Sequence, residues 1–385
     1  MPRLIDAATA ALGALALASC AEPSSPTHKT VAPSSPVFAT SSKITTTNLG
    51  TLPNGGSSVA YGIDAVGATI VGYAYPSTGS GVPQHATRWV FASSRWTIQD
   101  LTSSFPTGTA GSTAYDISGS GDIVGFMLLS SSYVHAFLLP KGAIQATDLH
   151  APLCNGATDA QNSSYAYAIN PGGEVVGVRY TQPDPNNAAR RAFHWGAGCM
   201  TQLPTLGDPS SAQGTYDGAS DINDYGVVVG TSRAIGGVYR AVRWNRMTDA
   251  DGTVRWEITP LPVPSGFTSS GASAINNSGE IVGSGLDAAG VRVALCWEPT
   301  GEVMTMPTLG GNSAAVGLNE SGDAVGWSYG PAGQSSVRWP AAGGIQRLSQ
   351  GGTIAGASDA NDKQQIVGNE FSKNQPILAA LWTVP

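Results

Sequence analysis

A twelve-residue unit, A-x-x-I-[ND]-x-x-G-x-[VI]-V-G, recurs along the chain and limits its possible folds more than any other feature. It reads AYDISGSGDIVG at 114–125, AYAINPGGEVVG at 166–177, ASDINDYGVVVG at 219–230, ASAINNSGEIVG at 272–283, AVGLNESGDAVG at 315–326 and ASDANDKQQIVG at 357–368. A first copy, AYGIDAVGATIVG at 60–72, carries one extra residue. The terminal glycines are Gly72, Gly125, Gly177, Gly230, Gly283, Gly326 and Gly368, spaced by 53, 52, 53, 53, 43 and 42 residues. A period of this size marks an array of supersecondary units, none of which buries its apolar face alone.

Two further landmarks follow each unit. The first is a short run with a small residue ahead of a large one, as in His85-Ala86-Thr87-Arg88-Trp89, His135-Ala136-Phe137 and Ala241-Val242-Arg243-Trp244. The second is a short strand such as 98–101 or 303–306, with a turn-like tail in some copies (PTLGDPSS, 204–211; PTLGGNS, 307–313). Each unit therefore predicts four strands, with Asn, Asp and Gly supplying the turns. The second strand is expected to end near Val-Val-Gly, and its glycine to admit a closely approaching neighbouring sheet. Small residues on the first strand and Trp on the third suit blades that meet at an axis and splay outward.

The expected fold is all-β: a seven-bladed β-propeller with four antiparallel strands per blade. The seventh unit stops at Pro385, soon after Trp382, and lacks a fourth strand. Residues 44–56 precede the first unit and resemble 303–313, so an N-terminal strand at about 44–52 is expected to close the last blade. Closure removes exposed strand edges. A parallel β-solenoid is the alternative.

The rest of the chain reads as an address and a tether. Residues 1–19 hold one basic residue, Arg3, and an apolar run from Ala7 to Ala18. That run is too short to span a bilayer and fits a signal peptide. It ends in Leu17-Ala18-Ser19-Cys20, which resembles a bacterial lipobox and implies lipidation at Cys20 and a stable anchor; an ordinary secretory signal, and a secreted protein, is the alternative. Ala21 rather than Asp after the cysteine points to the outer membrane of a Gram-negative cell. The Ser/Pro/Thr-rich stretch 20–43 is expected to be the tether, and 44–385 the propeller.

The repeated unit followed by a His-Ala-Phe strand, literal at 135–137, and the PTLGG tail at 307–311 resemble the bacterial extracellular HAF-repeat family. The resemblance covers 44–385 and implies an exported, repeat-built β protein; it brings no catalytic activity with it. Leu139 in place of Trp and Ala360 in place of Ile depart from the pattern.

Candidate chemistry is sparse. The polar residues of the inner turns, Asp64, Ser118, Asn170, Asn223, Asn276, Asn319 and Asn361, could form a ring of ligands. Their repetition in every unit instead points to side chains that cap their own turns. His85 and His135 occupy equivalent strand positions, where Arg191 and Arg240 stand in later units. The five His show no H-x-x-x-H or H-E-x-x-H spacing, so no metal site is expected. Asp249-Ala250-Asp251-Gly252 resembles the start of a calcium loop, but the twelfth place is Pro260, which leaves a hairpin turn. No nucleophile elbow or phosphate loop occurs, no catalytic residue is assigned and no cofactor is expected. Cys154 and Cys199 fall near one unit in an oxidising compartment and are candidates for a disulfide. Cys296, beside Trp297, reads as a core residue.

With 19 Lys and Arg against 26 Asp and Glu, net −7, and no basic cluster, nucleic acid is not an expected partner. The expectation is a monomeric, membrane-anchored scaffold of the cell envelope that binds an extracellular protein or glycan. An enzyme of the propeller lyase or hydrolase class acting on extracellular polysaccharide is the alternative, and carboxylate pairs for such chemistry are a matter of spacing in the fold. A purely structural envelope protein is a third reading. The longer inter-unit segments 102–113, 150–164, 204–218 and 260–271 make one rim lopsided and mark it as the place to look for a ligand.

Overall fold

The computed structural model describes residues 43–79, 81–129, 133–150, 152–156, 163–180, 190–207, 216–349, 354–371 and 376–385. The expected signal peptide, Cys20 and nearly all of the tether lie outside the described residues. Those that are described form seven four-stranded sheets arranged as the blades of a propeller. All strands of each sheet pair antiparallel, which excludes the solenoid.

The innermost strands of blades one to seven are Ser58–Ile63, Gly111–Ile117, Ser164–Ile169, Gly218–Ile222, Phe267–Ile275, Ser313–Leu318 and Ile354–Ala360. The N-terminal strand, Thr45–Asn48, pairs with Leu378–Thr383 as the outermost strand of blade seven, with Thr46 opposite Trp382. First and last strands of the chain thus share one sheet, and the ring is closed by backbone hydrogen bonds.

The repeat glycine has a different cause from the one read in the sequence. In blade two, Ala114 faces Gly125 and Asp116 faces Val124, so Tyr115 is an extra, bulged residue. The same slip occurs after Ala60, Ala166, Ala219, Ala272, Ala315 and Ala357. The bulge drives the carbonyl of the preceding residue against the facing glycine. A Cβ on Gly125 would overlap the carbonyl oxygen of Thr113, and one on Gly177 that of Tyr165. The close approach comes from the blade's own inner strand, not from a neighbouring sheet. The second strand also begins, rather than ends, with Val-Val-Gly, as in Ile123–Leu128 and Val175–Tyr180.

Adjacent blades bury a hydrophobic cluster between them. At the closing seam, Ala60 and Ile70 of blade one meet Val367 and Leu381 of blade seven. Polar fasteners repeat beside these clusters. In five of the seven third strands the amide of the small residue donates to a serine hydroxyl on the next blade's inner strand: Ala86 to Ser112, Ala136 to Ser164, Ala241 to Ser270, Ala294 to Ser313 and Ala379 to Ser58, each at 3.0 Å. The indole N–H groups of Trp244, Trp297 and Trp339 donate to the carbonyls of Pro204, Pro262 and Pro307 at 2.7–2.8 Å. These prolines sit in the tails of the preceding blades, so the Ala, the Trp and the proline-containing tail are parts of one inter-blade joint.

Gly177→Ala should lower the unfolding free energy by about 3 kcal/mol, because the new methyl must displace backbone. Chemical denaturation checks this; an unchanged midpoint and slope would rule out the bulge as the reason for the glycine.

Candidate functional site

The two faces of the ring differ in how far they obey the repeat. On one face lie the turns between first and second strands. Asn223 Oδ1 accepts the amides of Tyr225 and Val227 at 3.1 and 3.0 Å, while Asn170, Asn276 and Asn319 each accept the amide four residues on. The spare Nδ2 protons reach the next blade. Asn170 donates to the carbonyl of Asn223, Asn223 to Asn276, Asn276 to Asn319, Asn319 to Asn361 and Asn361 to Asp64, at 3.1–3.4 Å. The turn amides therefore form a belt through five consecutive inter-blade seams. Sequence reading placed these residues as caps and missed the second bond, because the partner carbonyl is some fifty residues away.

The channel between the inner strands is where the blades stop resembling one another. The bulge turns Tyr61, Tyr115, Tyr167, Ser220, Ser273, Val316 and Ser358 toward it, and with their neighbours they line a cavity of about 200 Å3. Blades one to three thus present tyrosine where blades four to seven present small residues. Further aromatic rings extend this arc. Ring centroids are 5.1 Å apart for Tyr61 and Tyr115, 5.3 Å for Tyr115 and Tyr167, and 5.1 Å for Phe126 and Tyr165. Tyr73 packs on Tyr61 and Tyr180 on Tyr165 at 5.9 and 6.0 Å. All these rings are part-exposed. Tyr73, Phe126 and Tyr180 lie past the turn-proximal end of their second strands, so the arc runs toward the face that carries the inter-blade loops. Burial lifts the phenols above their ordinary 10, Tyr73 to about 12; neighbouring tyrosines add to the rise, while Arg190 opposes it at Tyr167, so they stay neutral donors and acceptors.

Three carboxylates stand beside the bulge in the same channel. Asp116 accepts the amides of Ile117 and Ile169 at 2.7 and 2.9 Å. Asp221 accepts those of Ile222 and Ile275 at 2.7 and 2.8 Å, and Asp359 those of Ala360 and Ile63 at 2.8 and 2.9 Å. In each case one amide belongs to the next blade. A bulge leaves such amides without a ladder partner, and a carboxylate is the side chain that accepts two at once. Loss of solvent raises all three: Asp116 to about 6, Asp221 and Asp359 to about 7, with mutual repulsion adding to the rise of the latter two. Among the described residues no group of His, Cys, Asp or Glu is placed to hold a metal ion.

The other sequence candidates lie outside the channel. His85 pairs with Asp100 at 2.8 Å and His135 with Asp148 at 2.7 Å, between third and fourth strands of their blades. Asp249 to Gly252 form the turn of the long blade-four hairpin, closed by Gly252 N–H on the Asp249 carbonyl. Cys154 and Cys199 are joined by a disulfide with Cα atoms 5.0 Å apart, tying the segment before blade three to that blade's outermost strand. Cys296 is buried in the third strand of blade five. The sequence signal for the arc, Ala-Tyr in the first three repeats against Ala-Ser or Ala-Val in the rest, was present but carried no indication of direction without the bulge.

Each channel Asp binds its proton more tightly in the folded ring than in the unfolded chain, where it titrates near its ordinary 3.8. The folded state therefore gains on the unfolded as pH falls from about 8, and the gain is complete near pH 4, below which both states are protonated. Asp116→Ala/Asp221→Ala/Asp359→Ala should flatten this part of the stability profile, measured by denaturant unfolding at several pH values. A profile that stays as steep in the triple variant would place the titration elsewhere.

No protein-family model and no curated protein matches the chain. Solved structures do match, at the level of fold. A catalytically inactive variant of virginiamycin B lyase from Staphylococcus aureus, crystallised with quinupristin, aligns at TM-score 0.50 and 14% identity, covering 89% of this chain and 99% of that one. Puromycin hydrolase aligns at TM-score 0.54 and 12% identity, covering 85% of this chain and 51% of that one, so this chain spans about half its length. The β-propeller domain of the Trilobed protease from Pyrococcus furiosus aligns at TM-score 0.50 and 9% identity, over 84% and 93% of the two chains. What these likenesses establish is the propeller architecture.

Proposed function

We propose that the protein is an exported, lipid-anchored scaffold of the HAF-repeat kind, held in the cell envelope through Cys20, and that it binds its ligand on the face bearing the inter-blade loops. One observation carries the binding reading: the turn face repeats nearly unchanged and is tied into a belt, whereas the channel and loop face break the repeat with an aromatic arc on blades one to three. Features that hold a ring together recur in most blades; a ligand site need occur only once. The envelope location rests on the sequence of residues 1–20.

Binding is favoured over catalysis by where the acid–base groups go. Tyrosines and carboxylates meet in the channel, but His85, His135, His150 and His194 contact Asp100, Asp148, Ser164 and Glu174 away from it. The alternative of a lyase or hydrolase acting on extracellular polysaccharide lacks one support in the channel: among the described residues no histidine lines that cavity beside its carboxylates.

Two experiments test the proposal. In a Gram-negative host, the full-length protein should incorporate labelled palmitate and sediment with membranes, and Cys20→Ser should abolish both; a soluble wild type without label would refute the anchor. Alanine substitutions across 102–110 and 260–266 should weaken capture of the partner found by pull-down or glycan array. Undiminished capture would move the binding surface elsewhere.

A further inference from the structure

The aromatic arc and the channel beneath it form one concave site with a definite chemistry. It is lined by Tyr61, Tyr115 and Tyr167 together with Asp116, Asp221 and Asp359. The remaining positions on the channel wall are small or apolar: Ser220, Ser273, Val316 and Ser358. Among the described residues no Lys or Arg lines this cavity. Two charges outside the lining act on it in opposite senses: the Arg190 cation on Tyr167 and the Glu320 carboxylate on Asp221. Aromatic rings carry negative potential on their faces, and the channel carboxylates add to it as they ionise. The site is thus complementary to positive charge. It does not suit a bare metal ion, because no described group of carboxylates converges closely enough to coordinate one. A broader cation, with carbon around its nitrogen, would contact the rings while facing the carboxylates.

The geometry points to the channel, at the level of the bulges, as a binding site for an organic ammonium group, lined by Tyr61, Tyr115 and Tyr167 and by Asp116, Asp221 and Asp359. This assignment rests on the loop-face reading above and adds the class of ligand. The carboxylates can serve the ring and the ligand together: each oxygen receives one backbone amide and has a second lone pair to offer. The fold does not need an aspartate in every blade, since each of the three serves two: blades one, three and five carry Gly62, Ala168 and Ala274 there, and their Ile63, Ile169 and Ile275 amides are accepted by Asp359, Asp116 and Asp221 of the neighbouring blade. Nor does it need tyrosine at the bulge, where other blades carry serine or valine. The aromatic choice in three adjacent blades is therefore left for the ligand to explain.

The test uses the purified full-length protein and choline as the probe, with 3,3-dimethylbutan-1-ol as its uncharged counterpart, followed by titration calorimetry. Choline should bind at least about tenfold more tightly than the alcohol. Tyr115→Leu and Asp221→Ala should each weaken choline by a similar factor, whereas Tyr115→Phe, which keeps the ring, should stay within about twofold. Affinity should rise between about pH 5 and pH 8 as the channel carboxyls ionise. Equal binding of choline and the alcohol, or full choline affinity in folded Tyr115→Leu and Asp221→Ala, overturns the assignment. Failure of choline to bind at millimolar concentration also overturns it. If the loop substitutions still abolish partner capture in that event, the loop-face reading survives and only the ligand class falls.

Discussion

One backbone irregularity, repeated once per blade, organises this molecule. A bulge in each innermost strand presses a carbonyl against the facing strand, and only a residue without a side-chain carbon fits there. That contact fixes the glycine of every repeat. It also sets which residue turns out of the sheet toward the axis. The repeat and the channel wall are therefore two consequences of the same geometry: the glycine is constrained, and the bulged residue opposite it is free to vary.

That freedom is used unevenly. Around the turn face, asparagine amides cap their own turns and reach to the next blade, forming a belt that resists change because each link satisfies two blades. In the channel, three aspartates satisfy amides that the bulges leave unpaired, at the cost of burying negative charge at neutral pH. On blades one to three the bulged position holds tyrosine, and the rings stack into an arc that continues onto the second strands. Joints between blades, made by a small residue's amide on serine and by tryptophan on a proline-tail carbonyl, keep this arrangement rigid. A ligand entering the channel would meet a preformed surface, which limits the ordering that binding requires.

Much of the fold could be read from the sequence because its rules are local and periodic. The glycine spacing gave the blade count, and the missing fourth strand of the last unit, with the unmatched stretch before the first, led to the closure that Thr45–Asn48 makes with Leu378–Thr383. The candidate site was less legible. Alternation along a strand says which residues share a face, but a bulge shifts that alternation without a signal of its own. The glycine was accordingly ascribed to a neighbouring sheet, and Tyr61, Tyr115 and Tyr167 passed as ordinary strand residues. The channel aspartates stood at the same disadvantage: Asp116, Asp221 and Asp359 occur in only some repeats and become a group only once the ring brings them together. Contacts between residues some fifty positions apart, such as Asn223 with Asn276, follow from closure and not from either segment alone.

The central claim is that the bulge delivers tyrosines from blades one to three to a cation-binding channel. Its most direct test is nuclear magnetic resonance of protein labelled at the tyrosine rings, titrated with tetramethylammonium. The resonances of Tyr61, Tyr115 and Tyr167 should shift together along one saturable curve, while that of Tyr225, exposed on the turn face, stays fixed. Shifts of Tyr225 equal to those of the arc, or an arc that stays silent to saturation of the probe, would contradict the account.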